Sequence, residues 1–158
     1  MFLSFPILAA LLGMLIAQFV KIPIHFLTTG EVRWNLMFST GGMPSSHTAT
    51  IISLTTAIGL TSGFKSNAFA ICVVMSAIVM HDATGVRRHA GYHAEVLNKL
   101  LIDFNSLVET LKNPNLKKTE SRAKLKELLG HQPAEVFFGA ITGIIVGFLV
   151  YLIYPFTI

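Results

Sequence analysis

Charge is the first scarcity. Only 13% of the 158 residues are Asp, Glu, Lys or Arg, against roughly 25% in a soluble domain, while 53% are hydrophobic and the mean hydropathy is +0.64. That balance excludes an ordinary soluble protein. Cysteine is nearly absent: the single Cys72 rules out an internal disulfide and any multi-cysteine metal site, and its apolar neighbours Ala70, Ile71, Val73 and Val74 point to inert packing. Acidic residues are outnumbered 8 to 12 by basic ones, for a formal net charge of +4. The carboxylates Asp82, Glu95, Asp103 and Glu135 are scattered, so the sequence offers no obvious metal cluster, and His81-Asp82 alone is a weak one. The basic residues sit between apolar runs rather than over a solvated domain, which argues against nucleic acid as a partner.

Apolar length is abundant. Residues 5–20 carry no charge and the run continues past Lys21 to Leu27, long enough to cross a bilayer. Met1 to Pro6 lacks the basic start of a signal peptide and the run ends in Gln18 and Lys21, so the segment reads as retained. Residues 48–80 form a second apolar stretch, interrupted only by Gly63-Phe64-Lys65-Ser66-Asn67. A single helix of that length overshoots the ~30 Å hydrocarbon core, so two helices joined by a turn are expected. Residues 136–158 are again free of charge. The spacing predicts spans at about 5–27, 48–63, 67–81 and 136–156, with a polar helical insertion at about 83–134. Within the insertion Val96, Leu97, Leu100, Leu101, Phe104, Leu107, Val108 and Leu111 recur at helical spacing, predicting an amphipathic helix at the interface or against the bundle. Asn113-Pro114-Asn115 ends it, and a short helix is expected from about 119 to Leu129, stopped by Gly130.

The fold expected is all-α: one integral membrane helical bundle of about four transmembrane helices plus an amphipathic cytoplasmic-side segment. Four spans place the connections at about 21–47 and 81–135 on one side. These hold every basic residue but Lys65, so the positive-inside rule puts them in the cytoplasm and both termini outside, in a bacterial-style plasma membrane or an organellar one.

Three clusters at span edges on that side carry chemistry. Gly41-Gly42-Met43-Pro44-Ser45-Ser46-His47 combines glycines that permit close backbone approach with a proline and hydroxyls at a helix start, where anions are stabilised; phosphate is the natural guest, and a plain N-cap beside an interfacial His is the alternative. Asp82-Ala83-Thr84-Gly85-Val86-Arg87-Arg88 closes the third span. Its arginines can fork onto phosphate oxygens, or simply mark topology and meet lipid headgroups, with Asp82 pairing with Arg87 or capping the turn. Gly130-His131-Gln132-Pro133-Ala134-Glu135 opens the fourth span. There the carboxylate four residues on can reach the imidazole and fix its free nitrogen, a nucleophile-and-orienter pattern; a helix-capping acid is the other reading.

Taken together, Pro44-Ser45-Ser46-His47 and His131-Gln132-Pro133-Ala134-Glu135-Val136-Phe137-Phe138-Gly139 resemble the second and third signatures, Pro-Ser-Gly-His and His-x-Pro-x-Asp-Val-x-x-Gly, of the type 2 phosphatidic acid phosphatase superfamily. The wider wording, across residues 18 to 147, is similar to the small divergent branch of that superfamily, which is related to acid phosphatases and vanadium haloperoxidases. The departures are specific. The first signature, Lys-x6-Arg-Pro, is missing, with Lys21 and Arg33 as the cations in that region. Leu125 occupies the position of an Arg six residues before the histidine, between Lys124 and Lys126. Ser46 replaces Gly, and Glu135 replaces Asp. Arg87-x5-His93 imitates part of the third signature, but Leu97 stands where an acid is needed.

The resemblance implies that His131 attacks phosphorus, Glu135 orients it, and His47 protonates the departing oxygen, through a phosphohistidine that water then cleaves. Lys21, Arg33, Ser45, Ser46, Arg87 and Arg88 are the phosphate-binding candidates. The scheme requires no metal and no cofactor, and its substrate is a lipid phosphate or pyrophosphate presented at the headgroup level of the membrane. A non-catalytic lipid-phosphate binder or transporter on the same scaffold is the alternative. Vanadate-dependent halide oxidation is a third, poorly suited to so small a membrane chain. Gly139, Gly143 and Gly147 form a stripe that permits close helix contact, either inside the monomer or as a homodimer seam.

Overall fold

The computed structural model describes residues 4–39, 41–112 and 133–154, and every regular element among them is helical. In chain order these are α1 (Phe5–Thr29), a short 3-10 turn (Trp34–Phe38), α2 (Ser46–Ser62), α3 (Asn67–Thr84), α4 (Val86–Lys112) and α5 (Pro133–Ile153). Local chemistry sets several of the boundaries. A proline lies in the first turn of α1, where a missing N–H removes no helical bond. Gly30, at φ +72°, stops α1 and donates its N–H to the Phe26 carbonyl. Ser66 caps α3 by accepting the Phe69 N–H.

Three helices, α1, α3 and α5, are long and apolar enough to cross a membrane. The fourth expected span is different in kind. With 17 residues, α2 extends about 25 Å, and it packs against α1, α3 and α5 at once. It lies parallel to α5, Ser45 meeting Gly139, Ala49 meeting Gly143 and Ser53 meeting Gly147. It lies antiparallel to α1, where the Ser53 hydroxyl donates to the Ala9 carbonyl at 2.7 Å. A helix enclosed by its neighbours has little lipid to satisfy, so Ser53, Thr55 and Thr48 are buried in it without breaking the bundle.

The sizes of inward and outward residues are inverted relative to a soluble core. Ala9, Gly13, Ala17, Ala49, Ala57, Gly139 and Gly143 are buried, while Phe19, Ile71, Val74, Ile144 and Leu152 are exposed. So much outward apolar surface is a liability in water; in a bilayer, small residues bring backbones together and large ones face the tails. The glycine stripe of α5 is filled from within the chain by α2, and self-association through Gly139, Gly143 and Gly147 would have to displace that helix.

One end of the bundle is closed by an apolar cluster of Phe5, Ala9, Ala57, Val146 and Val150, with Tyr151 and Tyr154 against the Phe5 ring. The N-termini of α2 and α5 therefore lie at the other end.

α4 is the anticipated amphipathic helix, starting one residue after α3 and, among the described elements, touching only α3. Gly91, Ala94 and Asn98 are buried, while Val96, Leu97, Leu100, Leu101 and Phe104 stay exposed. The short helix expected at 119–129, and the last residues of the fourth span, lie outside the described residues.

Candidate functional site

The site end of the bundle is organised by Ser45. Its hydroxyl oxygen accepts the Thr48 N–H at 3.4 Å and the Thr48 hydroxyl at 3.1 Å, which makes it the N-cap of α2. Its own N–H donates to the Glu135 carbonyl at 2.9 Å. That bond joins the start of α2 to the first turn of α5, and the close approach at Gly139 reinforces it, since a Cβ there would stand 2.6 Å from the Ser45 carbonyl oxygen. His47, the second residue of α2, and Glu135, far apart in the sequence, are thereby brought to the same end of the molecule. Ser45→Ala is expected to destabilise the protein by about 1 kcal/mol, the usual worth of a capping hydroxyl, read as a lower unfolding midpoint in detergent.

Lys21 is the cation that the fold encloses. It stands where the expected 5–27 span and 21–47 connection overlap, and it lies within α1, with only 2% of it exposed. Its Nζ donates to the Ser39 carbonyl at 3.1 Å, and the Glu135 carboxylate interacts with it electrostatically. The chain passes over its aliphatic stem at Gly42, whose φ of +92° lies in the region L side chains avoid and whose Cβ position is 3.9 Å from Lys21 Cδ.

One turn earlier on α1, the Gln18 side-chain N–H donates to the Ser46 hydroxyl at 3.3 Å, and its Oε1 is buried without a hydrogen-bond partner. The hydroxyls of Ser45 and Ser46 are thus both engaged within the protein. What the start of α2 offers an anion is its first-turn amides and the positive end of the helix.

Arg33 is exposed and forks onto one oxygen of Glu31, at 3.0 and 2.7 Å. Arg87 and Arg88 occupy the first turn of α4, and His93 is on its exposed surface. His131, with Lys124, Leu125 and Lys126, lies outside the described residues.

A cleft of about 220 Å³ between α2 and α3 is lined by His47, Ile78, Val79, Asp82 and Ala83. Asp82 belongs to the last turn of α3, which continues to Thr84, so it reaches this cleft from a helix rather than from a loop. Sequence reasoning did not connect Asp82 with His47, nor Gln18 with Ser46. The one available signal was that Gln18 and Lys21 are polar residues three apart in an apolar helix and therefore share a face.

A family model described as the divergent PAP2 family matches residues 2–146, which takes in α1 to α4 and most of α5. The chain belongs to the divergent PAP2 family. It is also 50% identical, over 143 residues and 90% of each chain, to the uncharacterized membrane protein YuiD of Bacillus subtilis (strain 168). No solved structure matches it. As a member of this family, with three helices suited to crossing a bilayer, it is an integral membrane protein.

Proposed function

We propose that the protein is a membrane phosphatase that hydrolyses a lipid phosphate or pyrophosphate. His131 attacks phosphorus in line; the phosphorus–oxygen bond to the leaving group breaks as the nitrogen–phosphorus bond forms. Glu135 orients the attacking ring and stabilises its positive charge, and His47 gives a proton to the departing oxygen. Water then cleaves the phosphohistidine and releases phosphate. Lys21 and the first-turn amides of α2 stabilise the charge on the equatorial oxygens. The observation that carries this reading is the Ser45–Glu135 hydrogen bond, which joins one residue of the second signature motif to one residue of the third. The concentration of basic residues in the stretches at about 21–47 and 81–135 of the sequence supports a cytoplasmic-facing site in a bacterial plasma membrane.

The engagement of Arg33 with Glu31, together with the missing first signature, favours a second reading: a lipid-phosphate binder without turnover. Phosphate release from a panel of lipid phosphates by the purified protein separates the two. The wild type is expected to release phosphate and to carry an acid-labile phosphoryl group during turnover. His131→Ala is expected to lose both at an unchanged unfolding midpoint. Binding without release in the wild type gives the second reading; full release by His131→Ala removes that residue from the mechanism.

A further inference from the structure

The register between α2 and α3 is fixed well inside the bundle. The Thr55 and Ser76 hydroxyls share a hydrogen bond of 2.8 Å, the Thr55 hydroxyl also reaches the Cys72 carbonyl, and Gly59 packs on Phe69. The two helices are antiparallel. Moving two turns toward the start of α2 therefore means moving nearly two turns toward the end of α3, which brings His47 level with Asp82 and Ala83. The shared cleft agrees with that register: His47 and Asp82 are its ionisable residues, and Ile78, Val79 and Ala83 supply the apolar remainder. Among the described residues, the charged groups that also come to this end of the bundle include Lys21 from α1 and Glu135 from α5, which interact electrostatically with each other, and the exposed Glu31–Arg33 pair that follows α1. A carboxylate beside an imidazole in a partly apolar cleft holds the ring in one orientation and one tautomer, and favours its protonated form.

We propose that Asp82 is the positioning residue for His47, holding its imidazole so that the opposite ring nitrogen faces the leaving oxygen of the substrate. The inference rests on the reading of His47 as the proton donor. It assigns each histidine of the mechanism its own carboxylate, Glu135 for His131 and Asp82 for His47, supplied by different helices.

The test is nitrogen-15 NMR of the imidazoles in detergent micelles, at a pH where the His47 ring is neutral, alongside phosphate release from the lipid-phosphate panel. In the wild type, His47 is expected to show one tautomer; in Asp82→Asn, a mixed or reversed one. The same variant is expected to lose about 100-fold in kcat, the lower range for a general acid, with KM changed less than threefold. Asp82→Glu, which keeps the carboxylate, is expected to restore the wild-type tautomer and part of kcat, and it carries the comparison if Asp82→Asn does not fold. A His47 ring already tautomerically mixed in the wild type, His47 ring signals identical in the wild type and Asp82→Asn, or a mixed His47 tautomer in folded Asp82→Glu, overturns the proposal. A tautomer that depends on Asp82 in a protein without turnover supports the pairing and instead defeats the phosphatase reading.

Discussion

Gly139→Ala is expected to destabilise the protein by about 3 kcal/mol or more and to lower phosphate release with it, although it adds a single methyl group. The methyl has nowhere to go: its carbon would lie 2.6 Å from the Ser45 carbonyl oxygen, 3.0 Å from Thr48 Cβ and 3.2 Å from Ser45 Cβ. The nearest obstacle is backbone, at the cap of α2, so relief requires α5 to move away from α2. Overpacking a core commonly costs about 1–3 kcal/mol where side chains can yield, and this contact sits at the upper end because a carbonyl cannot change rotamer. Parting the helices also strains the Ser45–Glu135 hydrogen bond that brings the two motifs together, which is why activity is expected to fall too. Ile144→Ala is the matched control. It removes three carbons from the same helix at a residue 53% exposed, so the change faces outward and the unfolding midpoint in detergent is expected to shift little. A larger loss in Ile144→Ala than in Gly139→Ala would mean that the α2–α5 seam is looser than its geometry indicates.

That contrast also explains which parts of the fold were legible. α1, α3 and α5 could be read because their outward faces are built for lipid, and lipid-facing surface appears in the sequence as long uncharged runs. α2 could be bounded but not understood: a helix surrounded by other helices need be neither long nor uniformly apolar, and its hydroxyls at Ser53 and Thr55 bond to Ala9 and Ser76 rather than marking a boundary. At the site, the capping role of Ser45 and the placement of His47 just inside a helix follow from chemistry within a few residues. The meeting of Ser45 with Glu135 does not, because no spacing rule relates positions so far apart, and only the likeness to a known family suggested it. Gln18 and Asp82 were missed for the same reason. Each is a polar residue near the end of an apolar helix, where it resembles a membrane boundary, and the partner that gives it meaning is on another helix whose register the sequence does not display.

Lys21→Met is expected to leave the fold standing and to reduce phosphate release by about 10²–10³-fold, the effect of deleting one preorganised charge-stabilising group. Taking an ammonium out of water costs several kcal/mol unless the surroundings compensate, and removing one partner of an ion pair is costly when it leaves the other charge buried; Glu135 is only partly buried, so water can take over its charge. In this protein the compensation comes from the Ser39 carbonyl and the charge of Glu135, whereas a methionine would fill the same slot with no charge to solvate. Stability alone therefore gives little reason for a lysine that is 2% exposed. Its position beside the first turn of α2 and the Glu135 carboxylate gives a reason in the chemistry: an added phosphate would meet a fixed positive charge that needs no reorganisation when charge develops on the equatorial oxygens. The measurement is a pair, the unfolding midpoint in detergent and the rate of phosphate release per folded molecule. A midpoint within a few degrees of the wild type with release reduced places Lys21 on the phosphate. A steep fall in the midpoint with undiminished release per folded molecule makes Lys21 a strut that holds the connection from Ser39 to Gly42 against α1, and moves the phosphate clamp to other residues.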